Sequence, residues 1–467
     1  MRALPQGDLS HRYDMSQKRS TKVQSLTEGT PWKLILMFAL PMIVGNMFQQ
    51  AYTMCDTLIV GRFVGVHALA AVGGADWFNW MILGSVIGFT QGFSIMIAQR
   101  FGAEDYVGLR RTIASSIRLS ILLAVVFGVA AQLLIVPVLT WMRTPREIFK
   151  LATLYLRILF AGIPIVVAYN TAASILRSLG NSRLPLVAMV IASLINIVLD
   201  IVMILVFHMG VAGAAVATVF AQLIAFFFCF NALRRIPFLH LEKADWTEGR
   251  KHDKALLRLG LPISLQNMII SVGGLVLQGI VNGFGVLFIA GYTATNKIFG
   301  LMDAAGISYG SAVGTYTSQN LGAKKLRRIR SGVRQGAVLG LVTSVTITIV
   351  MIAIGRPLLS LFISGTPEEA VETLRVALRY LHFMAILLPV LYMLYHYRSA
   401  LQGLGDTLIP MISGIVELVV RVSVAGILCR SIGGDGIFWA EIMAWAGAAV
   451  LLYITYQVRM HRMSTAD

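Results

Sequence analysis

Asn196 and Asp200 stand four residues apart in a run from Leu184 to Phe207 that is otherwise almost wholly apolar. On a helix they share one face, about 6 Å apart. A second acid, Asp56, lies in another long apolar run. A carboxylate in hydrocarbon costs roughly 2.5–3.5 kcal/mol on insertion scales, so such groups face protein or a watery cavity rather than lipid. Two carboxylates in a low-dielectric cleft resist being charged together, and such a pair can take up a proton from one side and release it to the other. Charged, the pair attracts a cation, or sodium with nearby oxygens; protonated, it does not. This is ion-coupling chemistry. The plainer alternative is structural, with the acids held by Asn196 and helix hydroxyls.

The elements that must position these groups are membrane helices. The chain has 467 residues, is 57% hydrophobic and 13% charged, and has a mean hydropathy of +0.75. A soluble protein carries about 25% charged residues. Twelve spans are expected near 33–60, 67–98, 112–140, 147–177, 183–208, 211–236, 256–282, 287–319, 332–355, 370–403, 406–430 and 434–458. Most exceed the roughly 20 residues a crossing needs, so they tilt or protrude.

A net charge of +17 would suit a nucleic-acid binder, but the basic residues cluster in short connections between spans. One set of connections holds Arg110 and Arg111, Arg177 and Arg183, Arg234 through Arg258, and Lys324, Lys325, Arg327, Arg328 and Arg330. The alternate set holds little: Arg62, Arg143, Arg146, Lys150, Arg356 and Arg430. Positive charge marks cytoplasmic loops, so both termini are expected in the cytoplasm and no nucleic acid as partner. Residues 1–30 are polar and basic, without the apolar core of a signal peptide, and read as a disordered cytoplasmic tail. Cys55, Cys229 and Cys429 form neither a disulfide framework nor a metal-ligand spacing, and no cofactor is expected.

The chain repeats itself. Pro41 to Asn46 (PMIVGN) echoes Pro262 to Asn267 (PISLQN), and Ala98 to Ala103 (AQRFGA) echoes Ser318 to Ala323 (SQNLGA). Arg177 to Ser182 with Pro185 echoes Gln402 to Thr407 with Pro410. The offset stays near 220–225 residues (41 to 262, 98 to 318, 177 to 402). Each repeat holds six spans, an even number, so the halves enter the membrane the same way, related by an axis along its normal with a cleft between them. The expected organisation is a tail at 1–30, an N-lobe at 31–236, a cytoplasmic linker at 237–255 and a C-lobe at 256–460. The fold class is an all-α membrane protein of 12 transmembrane helices in two six-helix lobes.

Several motifs carry a family resemblance. They are Met54-Cys-Asp56-Thr-Leu-Ile-Val-Gly61-Arg-Phe-Val-Gly65, Leu69-Ala-Ala-Val-Gly73, Ala98 to Ala103, Leu176 to Asn181, Asn196-x-x-x-Asp200 and Gly213 to Thr218. In this order the chain resembles the multidrug and toxic compound extrusion (MATE) transporters over about residues 30–460. The resemblance implies a two-lobed antiporter that exports cationic amphipathic small molecules against inward proton or sodium flow. It implies an N-lobe ion site of Asp56, Asn196 and Asp200, assisted by Tyr155 and Thr218, with sodium, if used, at Asp56, Asn196 and Asp200. Asp56, Tyr155, Asp200 and Thr218 each lie 5–8 residues from the outer end of their expected span, about 8–12 Å deep. Some family members also have a C-lobe sodium site with an acid on the seventh helix and an Asp on the tenth. Here the seventh has no acid and Leu391 falls near the second position, so that site is expected to be missing and protons are favoured.

The C-lobe spans instead carry Lys297, Asp303, Glu417 and Arg421. Glu417 and Arg421, four apart in the favourable order, read as an intrahelical salt bridge or as a substrate contact. Lys297 and Asp303 are six apart and cannot easily pair with each other, and Asp303 is expected to face Arg421. Asp76 reads equally as a cavity group or an interfacial residue beside Trp77 and Trp80. Gly84, Gly88 and Gly92 suit close helix packing. The basic loop at Lys324–Arg330 reads as a topology signal or a contact for membrane lipid headgroups. The expected whole is a monomeric, multi-pass inner-membrane antiporter and not an enzyme. Two alternatives stand beside it: a lipid-linked saccharide flippase, which needs a strongly cationic cavity, and a membrane-embedded enzyme, for which the spans hold no metal set or Ser–His pair.

Overall fold

The computed structural model describes residues 24–363 and 366–465. Among these there is no strand. The chain runs as α1 (Pro31–Ile59), α2 (Val66–Gly102), α3 (Tyr106–Trp141), α4 (Arg146–Ala161), α5 (Ile163–Ser178), α6 (Arg183–Ile201) and α7 (Val211–Arg234). A short α8 (Lys243–Glu248) precedes α9 (Asp253–Val281), α10 (Val286–Gly322), α11 (Leu326–Ser360), α12 (Pro367–Ile386), α13 (Leu388–Gly403), α14 (Leu408–Ile432) and α15 (Asp435–Thr465).

The fourth and tenth spans are each broken in two. α4 and α5 meet at 46°, and α12 and α13 at 48°. Pro164 and Pro389, each at the start of the second half, lack the N–H that a continuous helix would donate there. Counting each pair once, eleven helical units among the described residues are long and apolar enough to cross a membrane. The twelfth, α10, has the length, with 37 residues. Its composition falls short because it carries Lys297, Asp303 and a buried row including Thr295, Ser308, Gln319 and Asn320.

The repeat recurs in the backbone. α2 and α10 are both 37 residues long, and each starts after a left-handed glycine, Gly65 at φ 111° and Gly285 at φ 89°. Positive φ also recurs at Glu104 and Lys324, Gly180 and Gly405, and Gly210 and Gly433. Matching turns at matching offsets give two lobes of the same build.

The lobes meet along α2 against α9 and α10 against α1. A Cβ placed on Gly92 would lie 2.3 Å from the Gly260 Cα, and one on Gly88 would lie 2.6 Å from the Ser264 Cα. The backbones therefore touch there, as membrane helices with small residues do. At Gly84 the nearest atom recedes to 3.6 Å, and at Gly73, Gly74, Gly279 and Gly283 nothing stands within 4 Å. Nearer the opening, the indole of Trp77 spans the gap to Gly274. The lobes are closed at one end and diverge at the other.

The closed end is the basic end. There α2 and α10 cross reciprocally: a Cβ placed on Gly102 would lie 1.9 Å from the Gln319 carbonyl oxygen, and one on Gly322 would lie 1.9 Å from that of Gln99. Residues 1–23 of the expected tail lie outside the described residues. Residues 24–30 are described and docked: the Leu26 N–H donates to Gln319 Oε1 (2.8 Å), and Asn320 Nδ2 and Lys325 Nζ donate to the Leu26 and Thr27 carbonyls (each 3.1 Å). Leu26 is fully buried. An apolar side chain with side-chain partners for its backbone explains why this stretch is held. The connection between lobes is also anchored, by Arg110 to Asp245 (3.2 Å) and by Arg118 and Ser115 to Asp253.

Candidate functional site

In the N-lobe, α1 supplies Asp56, α6 supplies Asn196 and Asp200, α4 supplies Tyr155 and α2 supplies Asp76. Asp200 is completely buried, Asn196 is 1% exposed and Asp56 9%. Asp200 lies in the field of Asp56, and Asp56 in that of Asp76. Tyr155 lies in the field of all three acids. One buried oxygen of Asp56, both oxygens of Asp200 and both side-chain polar atoms of Asn196 have no hydrogen-bond partner among the described residues. Buried polar atoms are seldom left so. Buried carboxylate and amide oxygens with no hydrogen-bond donor among the described residues suit a proton or a small cation.

Both acid-bearing helices change winding just beyond their carboxylates. After Asp56, α1 passes into a π-helical turn at Val60–Val64, and after Asp200, α6 passes into another at Val202–Val206. The two π segments touch each other. π turns inside long helices recur at functional sites. The corresponding end of α9 closes with a 3-10 turn, Asn282–Phe284, so this feature breaks the symmetry of the lobes.

Tyr52 belongs to the group although the sequence reading passed over it. It lies one turn before Asp56 on α1 and in the field of Asp56 and Asp200. Its i, i+4 spacing from Asp56 was the available signal. Thr218 on α7 is half-buried, and among the described residues no hydrogen bond or charge interaction ties it to the group. Asp76 faces the cleft side, where its charge meets that of the exposed Lys297 on α10 of the other lobe.

The C-lobe is wired differently. Glu417 on α14 pairs with Arg398 on α13, and Arg398 also donates to Ser413 Oγ (3.2 Å). Arg421 lies 4.0 Å from Glu417 and 3.1 Å from Glu441 on α15. The expected Glu417–Arg421 pair is thus one loose link in a chain of two acids and two bases across three helices. The expected facing of Asp303 and Arg421 is not seen: Asp303 hydrogen-bonds Tyr395, while Arg421 turns to Glu441. Arg398 and Glu441 were missed because helix spacing cannot reveal a partner on another helix. The C-lobe acids Glu417 and Glu441 are neutralised in place, whereas no arginine or lysine forms an ion pair with Asp56, Asp76 or Asp200 among the described residues.

The MatE family model matches residues 41–202 and again 262–427, once per repeat. The chain belongs to the MatE family. The probable multidrug resistance protein YpnP of Bacillus subtilis is 27% identical over 441 residues, covering 93% of this chain and 97% of the relative. An FAD transporter of Shewanella oneidensis is 24% identical, covering 77% and 78% of the two chains. A structure described as the outward-facing conformation of a multidrug resistance MATE family transporter superposes with a TM-score of 0.87 at 25% identity, over 94% of this chain and 98% of the other. This MatE protein is therefore a multi-pass membrane transporter of twelve helices in two lobes.

Proposed function

We propose that this MatE protein is a proton- or sodium-driven antiporter that exports cationic amphipathic small molecules from the cytoplasm across the inner membrane. The supporting observation is the N-lobe cluster of Asp56, Asp200 and Asn196, buried, and among the described residues without a neutralising base and with one oxygen of Asp56 and every polar side-chain atom of Asp200 and Asn196 unpartnered. Its basic end faces the cytoplasm, following the distribution of arginine and lysine, and the diverging end opens outward. A charged cluster holds a cation by field strength in a low-dielectric wall. A proton reaching Asp56 or Asp200 removes that charge and weakens the hold, so drug leaves outward. Release of the proton inward restores the charge. Tyr52 and Tyr155 lie in the field of the acids, and the π turns beyond the acids give α1 and α6 a place to rewind. Protons are favoured over sodium, since Thr218 is not tied to the cluster. Relatives named for multidrug resistance agree with the reading, and the acidic N-lobe argues against the FAD of the Shewanella relative as cargo.

Ethidium transport in everted membrane vesicles tests it, with pH and sodium gradients imposed separately. Asp56→Asn and Asp200→Asn are each expected to abolish gradient-driven uptake. Uptake that survives either substitution would remove the N-lobe cluster from the coupling mechanism.

A further inference from the structure

A groove of 660 Å³ opens between the start of α1 and the start of α11, lined by Trp32, Arg330, Arg334, Gln335, Val338 and Leu339 among others. It lies at the basic end and is remote from the N-lobe cluster. Arg330, Arg334 and Val338 follow at four-residue spacing, so they form one stripe along α11. The stripe continues into Val342, Val345 and Ile349, all exposed apolar side chains. Gln335 fixes the floor, accepting from the Trp32 N–H (3.0 Å) and donating to Ser331 Oγ (2.9 Å). Trp32 is 40% exposed and lines the groove with both arginines, and the Lys33 ammonium stands 5.6 Å from its ring centroid.

Neither the helix nor an acidic partner among the described residues explains the two arginines. Near a helix N-terminus, cations oppose the macrodipole. Among the described residues, neither Arg330 nor Arg334 makes an ion pair; Arg330 donates to the Met460 carbonyl (2.9 Å), and no hydrogen bond is made by Arg334. The neighbouring basic residues differ: Lys325 and Arg328 are engaged with residues 26–27 and Asn320. Lys324 and Arg327 do not line the groove, so the basic side chains that reach it from this end of α11 are Arg330 and its helical neighbour Arg334.

We infer that this groove is a binding site for a phospholipid with an anionic headgroup. The phosphate sits between Arg330 and Arg334, whose planar forks suit phosphate oxygens. Trp32 lies at the headgroup level, where amphipathic rings collect, and the acyl chains follow Val338 toward Ile349. Arg334 lies eight residues from the helix start, about 12 Å along the axis. That depth suits a headgroup in the leaflet at the basic end. A lipid seated there bridges α1, which carries Asp56, to α11.

The test is native mass spectrometry of the full-length protein in detergent micelles with added phosphatidylglycerol or phosphatidylcholine. One phosphatidylglycerol is expected to stay bound, with phosphatidylcholine retained several-fold less. Arg334→Gln should lower phosphatidylglycerol retention by about fivefold. Arg334→Lys should keep most of it, and Arg356→Gln, at the other end of α11, should leave it unchanged. A normal size-exclusion profile and helical circular dichroism secure each variant as folded. Equal retention of the two lipids, or undiminished retention by folded Arg334→Gln, would overturn the inference. So would displacement of the lipid by millimolar glycerol 3-phosphate, which would make this a site for soluble phosphate.

Discussion

Asp200 buries both carboxylate oxygens without a partner among the described residues, and an unsatisfied buried group costs about 1–3 kcal/mol, more when charged. A group kept for structure would have found donors. Asp200→Asn is therefore expected to raise the melting temperature in detergent while abolishing coupled efflux, and a clear fall in melting temperature would mark the acid as structural. Glu417 is the contrast, buried between Arg398 and Arg421. Glu417→Gln leaves Arg398 without its acid at a cost of about 3–5 kcal/mol, while the double change Glu417→Leu with Arg398→Leu costs much less. Thermal unfolding of the two variants measures this. If the single and double variants are equally unstable, the network does not depend on that pair.

The helices were legible one by one, because a run of about 20 apolar residues has few uses other than crossing a membrane. Their breaks were less so. A proline at 164 or 389 is compatible with a kink or a new start, and the start is what the structure shows. Helix α2 illustrates how an element acts through small residues. At Gly92 any side chain meets the Gly260 backbone at 2.3 Å, with no flexible group to move aside, whereas at Gly84 the nearest atom is 3.6 Å away. Gly92→Val is expected to part the lobes at the basic end, and Gly84→Val is not. Spin labels on the exposed, repeat-related Glu104 and Lys324 report it as a lengthened distance in double electron–electron resonance. An unchanged distribution for Gly92→Val would show that the α2–α9 contact does not hold that end shut.

At the scale of the molecule, closure at the basic end converges on Gln319. Its Oε1 accepts from the Leu26 N–H (2.8 Å) and its Nε2 donates to the Ser178 carbonyl (2.7 Å), so one C-lobe side chain joins the N-terminal segment to the N-lobe. Its repeat partner Gln99 reaches the Gly403 carbonyl at 3.4 Å. Gln319→Ala orphans a buried N–H and a carbonyl together. Hydrogen exchange at residues 24–30 is expected to quicken by tenfold or more, the equivalent of about 1.4 kcal/mol. Unaltered exchange there would mean that Asn320 and Lys325 hold the segment without it.

The chain by itself determined the membrane-crossing helices, the doubled architecture and the acids whose burial needed a reason. These follow from composition, period and spacing along one strand of sequence, where a polar residue in an apolar run declares its cost. Only the tertiary structure decided that Tyr52 joins Asp56 and Asp200, that Glu417 answers to Arg398 and Arg421 to Glu441, and that residues 24–30 dock at the closed end. Each of these depends on the rotation of a helix about its axis and on which neighbour it meets, and packing between distant segments sets both.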